Sequence, residues 1–313
     1  MRIAGTSYTQ AMTGQINVLA GRQNQLQSQA SSGQSITAPS DNPAGMTQAL
    51  GLQTDQANVT QYAQNVTTLQ NHTNLMSSAL QQLKTISDRV SELATQSDSL
   101  TSPSALKANA AETTQLIQNA VQIMNTKDGD QYLFGGTVSD KAPYVATTDA
   151  SGNVTGVTYQ GNTSVNASEI GQNSSVTVDV PGENTTGSGA RGVITDSRSG
   201  ADFFNHMISL QNHLLAGDTT SINTVDQPAL AKDSDNIIYQ ISSIGAVQTR
   251  LDVAASSASS QQTSLSTSLN TVAGADLAQT ITQLTQAENA YQIAMQTSSS
   301  ILQLRSSLLA SLP

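Results

Sequence analysis

The chain has 313 residues, enough for two or three domains, and its composition indicates slender helices rather than a thick globular core. Only 3% of the residues are aromatic, whereas thick cores usually draw on large aromatic volume. A net charge of -10 and a pI near 4.5 would repel a phosphate backbone, so we expect no nucleic-acid partner. The absence of cysteine excludes disulfides, thiolate zinc sites and cysteine nucleophiles.

The start of the sequence does not resemble a cleaved secretory signal, because Met1, Arg2 and Ile3 lead straight into polar residues without an apolar stretch. No apolar run approaches the roughly 20 residues needed to cross a bilayer, so we expect no membrane-spanning segment. A chain of this kind would need another route out of the cytoplasm.

Two apolar stripes, one near each end of the sequence, predict a pair of amphipathic helices. The N-terminal stripe repeats at intervals of four and three or of seven, and consists of Tyr8, Met12, Leu19 and Leu26. The C-terminal stripe repeats in the same way, and consists of Leu277, Ile281, Leu284, Tyr291, Met295 and Leu302. Each helix alone would leave its stripe in water, so we predict that the two pack antiparallel and form an assembly interface.

One charged residue occupies a stripe-like position in each terminal helix: Arg22 in the first and Glu288 in the last. Pairing Tyr8 with the region of Leu304 would bring these two charges together. An ion pair there would fix the register at some cost in stability. The alternative is that both side chains point outward and Ala287 takes the position between the helices.

The middle of the sequence predicts a long helical hairpin followed by β structure. Gly33 is typical of a left-handed helix cap, and Asn42 before Pro43 is typical of a helix start. A helix is predicted from Ala44 to Leu100. A return helix is predicted from Ser102, with an apolar stripe that reaches Met124, Lys127 near its C-terminal end and Gly129 beyond that end.

From Tyr132 the hydrophobic period changes from helical to two. The strands predicted here are Pro143–Thr148 and Val154–Gln160, with valines alternating again from Val176 to Val180. Helices resume at Ala201–Gly217 and from Asp226 to Val272, and Gly274 precedes the terminal helix. The fold class predicted is therefore mainly α, a long antiparallel helical bundle or coiled coil with paired terminal helices and an inserted small β-rich domain.

Three motifs could carry chemistry, but each lacks a required neighbour. The glycines at 187, 189 and 192 have dinucleotide-loop spacing without a strand before them or a helix after them. His206 and His213 share a helix face without a third zinc ligand. Asp128-Gly129-Asp130 lacks the further carboxylates of a calcium loop. We therefore expect no catalytic residues, metal or cofactor, and an enzyme is the weakest hypothesis.

Three segments together resemble the flagellar hook-associated protein 3 family, in the bacterial flagellin-like group. They are SSGQSITAPSDNP at 31–43, YLFGGT at 132–137, and ILQL at 301–304 followed by SLL at 307–309. The resemblance runs in order along the chain and is weakest within the β insert.

This resemblance implies a structural subunit of the flagellum that joins the hook to the filament. It implies export without a cleaved signal peptide, an export chaperone on the C-terminal helix, and assembly of copies into a ring between a hook-side junction protein and flagellin. The location implied is extracellular. Flagellin itself, and a surface-displayed binding module on a helical stalk, are the alternatives.

The domain division predicted from these readings has three parts. Residues 1–43 and 271–313 would form a terminal helical assembly domain, residues 44–137 and 199–270 a middle helical bundle, and residues 138–198 an outer β-rich domain.

Overall fold

The computed structural model describes the backbone of residues 2–310 and the side chains of residues 9–304. The helices are α1 (Arg2–Ser32), α2 (Pro43–Gln96), α3 (Pro103–Met124), α4 (Phe203–Ala216), the short α5 (Thr219–Ser221), α6 (Gln227–Ala273) and α7 (Leu277–Ala310), with a π-helical turn at Ile222–Asp226. The strands are β1 (Lys127–Asp128), β2 (Gln131–Tyr132), β3 (Tyr144–Thr148), β4 (Val154–Tyr159), β5 (Ala167–Gly171), β6 (Ser174–Thr177), β7 (Glu183–Asn184), β8 (Thr195–Asp196) and β9 (Ala201–Asp202). The predicted fold class, mainly helical with a small β-rich insert, is confirmed.

The helix ends follow local capping chemistry. Gly33 has a φ of 68° and its N–H donates to the Gln29 carbonyl at 2.9 Å, as a left-handed C-cap should. The Asn42 side chain accepts from the Gly45 N–H at 3.0 Å, and the Ser102 side chain accepts from the Ala105 N–H at 3.3 Å. These three predicted helix boundaries are confirmed.

Two predicted boundaries were wrong. The long helix ends at Gln96 rather than Leu100, and the return helix ends at Met124, so Lys127 lies in a strand instead of a helical last turn. At the end of α3, the side chain of Asn125 forms hydrogen bonds with the backbone of a later segment. It donates to the Tyr144 carbonyl at 2.8 Å and accepts from the Tyr144 N–H at 2.9 Å, which ties the end of α3 to the start of β3.

The chain divides into two compact units, Met1–Thr60 with Ser260–Pro313, and Gln61–Ser259. We call them the terminal unit and the central unit. Helices α2 and α6 each contribute residues to both. The predicted division into three domains stays a prediction.

The central unit has one main hydrophobic core, built from α2, α3, α4 and α6. Met76, Ile117, Phe203 and Met207 are at most 1% exposed. At that degree of burial each such side chain stabilises the fold by roughly 1.5–3 kcal/mol.

The β hairpin β3–β4 packs on this core through one buried amide. Gln211 of α4 donates to the Val154 carbonyl at 3.0 Å and accepts from the Thr114 hydroxyl of α3 at 2.8 Å. The hairpin is antiparallel, as predicted, and Tyr144 packs against Phe204 with ring centroids 5.2 Å apart. The other β elements are the β1–β2 and β5–β6 hairpins and a small sheet in which β8 lies between parallel β7 and antiparallel β9.

Buried polar side chains of α6 hold the glycine-rich segment of residues 187–200. Asn236 donates to the carbonyls of Gly192 and Val193 at 2.9 and 2.8 Å, and Gln240 donates to that of Gly192 at 3.1 Å. A side chain at Gly192 would collide with backbone atoms of Asn184 and Thr195. Gly192, the last glycine of the dinucleotide-loop spacing, is therefore explained by the tight packing of the backbone around it.

The three histidines of the chain contact aspartates, all in the central unit. His206 lies 2.8 Å from Asp233, and His213 lies 2.7 Å from Asp226, so the pair considered as zinc ligands is directed to two different carboxylates. Among the described residues, no group of three or more His, Asp or Glu side chains is arranged so that it could hold a metal ion.

His72 joins three segments of the central unit. Its Nδ1 lies 3.1 Å from Asp128 in β1, and its Nε2 lies 3.4 Å from Asp179, which follows β6. The second contact is close enough for charge attraction although it is not aligned as a hydrogen bond. Asp179, and to a smaller extent Asp128, raise the pKa of His72 above its ordinary value, against the opposing effect of burial.

We predict that raising the pH weakens the central unit through His72. A group whose pKa is raised on folding contributes stability that is complete below its unfolded pKa of about 6.5 and is lost as the pH rises through the folded value. Urea unfolding at pH 6 and pH 8 should show a larger difference for the wild type than for His72→Gln. Burial raises the pKa of Glu183 to about 7, so this residue keeps part of the pH dependence in both proteins. Equal pH dependence in the two proteins would contradict the role given to His72.

Candidate functional site

The candidate site is the helical hairpin formed by α1 and α7 in the terminal unit. Beyond the end of α1, Gln34 pairs antiparallel with Gly274, and the Ala275 N–H donates to the Gly33 carbonyl at 2.9 Å. Further along, Arg22 of α1 donates to the Gln283 side chain of α7 at 3.4 Å. The predicted antiparallel pairing of the two terminal helices is confirmed.

The link after α1 is held by its own side chains. One carboxylate oxygen of Asp41 accepts from the N–H groups of Thr37 and Ala38 at 3.0 and 2.9 Å and from the Thr37 hydroxyl at 3.1 Å. These donors, the two backbone groups first, lower the pKa of Asp41. Ile36 is buried against Ala49 and Ala273, so the segment 31–43 is a fixed corner of the terminal unit.

On α1, the predicted stripe faces α7. Leu26 is 2% exposed, and Met12 and Leu19 are half-buried on the same helix face. Tyr8 belongs to α1, but its side chain lies outside the described residues.

On α7, the most buried residues of the contact face are small ones rather than members of the predicted stripe. Thr280, Ala287 and Ser298 are buried, and their spacings of seven and eleven residues place them on one face of the helix. Small side chains let the helix axes approach closely. The sequence shows this spacing, but a stripe defined by large apolar residues does not include threonine or serine. Of the three residues, only Ala287 was proposed for the position between the helices.

Most of the predicted α7 stripe is left uncovered by the chain. The exposed fractions are 48% for Leu277, 56% for Ile281, 47% for Met295 and 50% for Leu302, whereas Leu284 and Tyr291 are half-buried at the edge of the contact. The expectation that the two stripes bury each other was therefore wrong for α7. The four exposed residues, which we call the outer stripe, lie about a quarter turn around the helix from the small residues.

Arg22 and Glu288 do not pair within the chain. Arg22 donates to Gln25 and Gln283, which is five residues from Glu288, so the helices are shifted by more than one turn from the predicted register. Both side chains are exposed. The outward-pointing alternative, with Ala287 buried, is the arrangement observed.

The hairpin therefore offers an apolar surface rather than a chemical centre. Large exposed apolar residues at regular helical spacing are typical of protein interaction sites. No helix within the described part of the chain is long and apolar enough to cross a membrane.

The N-terminal sequence and the fold of the chain are each similar to those of known proteins. Residues 6–139 match the family described as the bacterial flagellin N-terminal helical region. No curated protein matches the chain.

Several solved structures share the fold. A putative flagellar hook-associated protein from Vibrio parahaemolyticus has a TM-score of 0.63 and 15% identity, covering 74% of this chain and 99% of its own. FlgL from Xanthomonas campestris has a TM-score of 0.55 and 21% identity, covering 69% and 98%. The flagellar junction protein FlgL from Legionella pneumophila has a TM-score of 0.50 and 14% identity, covering 66% and 99%.

The sequence match and the structural matches are both to proteins described as flagellar. The resemblance to hook-associated protein 3 is confirmed: the N-terminal part is flagellin-like, and the fold is that of the hook-associated proteins.

We predict opposite effects of alanine at two glycines of the terminal unit. Gly33→Ala forces a side chain into a left-handed conformation and should destabilise the unit by about 1–2 kcal/mol. Gly14→Ala lies within α1 with no atom near the added carbon and should stabilise it by about 0.5–1 kcal/mol. Amide hydrogen exchange in α1 measures both changes. Equal protection in the two variants would show that the cap at Gly33 does not hold the helix end.

Proposed function

We propose that this chain is a structural subunit of the bacterial flagellum that joins the hook to the filament. The observation that carries the proposal is the outer stripe of α7, which remains exposed in a hairpin with very few charges. The flagellin-like N-terminal region and the hook-associated fold support a position in the flagellum.

Packing the outer stripe against other copies would be strongly favourable. Full burial of a leucine, isoleucine or methionine side chain contributes roughly 1.5–3 kcal/mol. Within residues 9–32 and 277–304 the only charged residues are Arg22 and Glu288, so little charge must be removed from water. Repeated contacts of one surface with a different surface of the next copy close into a ring or continue as a tube.

The other partners follow from this position. We propose a hook-side junction protein on one side of the ring and flagellin on the other, with the assembled protein outside the cell. Before assembly the outer stripe would be exposed to water. An export chaperone bound to the C-terminal helix would shield it. This role is structural rather than catalytic.

Flagellin is the second candidate, because the matched N-terminal region is described for flagellin. A filament subunit would use the same terminal helices. The two candidates differ in what remains when the gene is removed.

We predict that Ile281→Asp blocks assembly and leaves the folded chain intact. Ile281 is 56% exposed, so the charge costs the free chain little but would have to be buried between copies. Leu284 is a less selective choice, because it also borders the contact with α1. Asn289→Asp, an isosteric change at an exposed residue on the back of α7, is the control. The measurement is the amount of each variant in purified flagella, with thermal unfolding of the free chains alongside. Normal incorporation of Ile281→Asp would contradict the proposal.

The function itself is tested by deleting the gene in the source bacterium, imaging the hooks and measuring flagellin in the medium. We expect hooks without filaments and a separate flagellin released outside the cell. Disappearance of the flagellin band would instead identify this chain as the filament subunit. Unchanged filaments would contradict both flagellar roles and favour a binding function of the β insert.

A further inference from the structure

The two charged residues described in the terminal hairpin lie on opposite sides of it. Arg22 reaches Gln283, which lies slightly to one side of the α7 contact face. Glu288 lies about a quarter turn to the other side, in line with Ile281 and Met295 of the outer stripe. The two charges are therefore separated by the body of the hairpin.

We propose that Arg22 of one copy pairs with Glu288 of the next, and that this contact joins copies through opposite sides of the hairpin. The inference rests on the proposed self-assembly and adds which two surfaces meet and what aligns them. The partner is a second copy of this chain.

Charge complementarity favours this arrangement over a symmetric dimer. A two-fold contact between outer stripes would place Glu288 near Glu288, which is unfavourable. A contact between opposite sides places each Glu288 near an arginine instead. When two copies meet in this way, each still has one side without a partner, so further copies can bind at both ends.

Arg22 is poorly satisfied where it is. Its two guanidinium contacts go to neutral amide oxygens of Gln25 and Gln283 at 3.3 and 3.4 Å, both longer than typical hydrogen bonds. A carboxylate would offer shorter, charge-assisted bonds to the same guanidinium. Within the described residues, no ion pair involves Arg22 or Glu288.

The side that carries Arg22 also has apolar residues to receive the outer stripe. Val18 of α1 is 69% exposed, and Ile293 and Leu304 of α7 are each 63% exposed. Their positions on an ideal helix place them on the same side of the hairpin as Arg22. Each copy would therefore present apolar residues on both sides, with one charge of opposite sign on each.

The pair also indicates how neighbouring copies are placed. The Arg22 side chain reaches Gln283, and Glu288 lies five residues farther along α7, which corresponds to about 7.5 Å. Neighbouring copies would be displaced along the helix axis by up to this distance, less the reach of the two side chains.

The test uses Arg22→Glu and Glu288→Arg in full-length chains produced in the deletion strain. Each variant alone should reach purified flagella at less than a tenth of the wild-type amount, because its copies would juxtapose like charges. Producing the two variants together should restore incorporation, because their copies can alternate. The double variant should also be restored. Lys107→Glu, the same kind of charge reversal at an exposed residue of α3, should incorporate normally.

Rescue by the double variant without rescue by the mixture would overturn the proposal, because it would show that the two charges act within one chain. Normal incorporation of both single variants would overturn it as well. Neither result touches the proposed function, which fails only if wild-type chains are missing from flagella or the deletion leaves filaments unchanged.

Cysteine cross-linking gives an independent readout, since the chain contains no cysteine of its own. Oxidising flagella that contain the Arg22→Cys, Glu288→Cys double variant should produce a ladder of covalent multimers. Cross-linking confined to single chains would contradict the proposal.

Discussion

The close contact between α1 and α7 constrains the rest of the terminal unit. Because Thr280, Ala287 and Ser298 face α1, the larger apolar residues of α7 are displaced to the side. A seam of leucines would have been more stable in the free chain and would have left less surface for other copies. The sequence instead combines a modest internal contact with an exposed apolar stripe, which suits the self-assembly that we propose.

The central unit follows a different logic. Its main hydrophobic core lies between α2, α3, α4 and α6, and buried amides such as Gln211 and Asn236 bind the backbone of the β insert and the glycine-rich segment. Side chains that pair with backbone groups specify one arrangement of irregular segments, because any other would leave buried polar groups without partners. The central unit thus has a large hydrophobic core of its own, while α7 of the terminal unit exposes a regular stripe of apolar residues.

Much of this fold could be predicted from the sequence because its signals are local. Capping residues such as Gly33, Asn42 and Ser102 marked helix ends correctly, and the change from a helical to a two-residue period marked the β insert. The end of α3 was misplaced because the side chain of Asn125 pairs with Tyr144, a partner 19 residues away that no local pattern shows.

The candidate site was predicted only in part. The spacing of the apolar residues showed which of them share a face of α7. It did not show which face contacts α1, because several adjacent stripes on one helix have the same spacings of seven and eleven residues. The register was misjudged for the same reason, since large residues were aligned with each other. Both the contact face of α7 and the register depend on the size of the side chains between the helices, which the helical period does not indicate.

The most direct test of the proposed self-assembly is the accessibility of the outer stripe in the free protein and in flagella. Ile281→Cys introduces the single thiol of the chain, and its rate of reaction with a maleimide can be compared between the free protein and purified flagella, with Ser151→Cys in the β3–β4 turn as the reference. We expect rapid reaction in the free chain and strong protection in flagella. Equal reactivity in both states would show that the outer stripe is not an assembly surface.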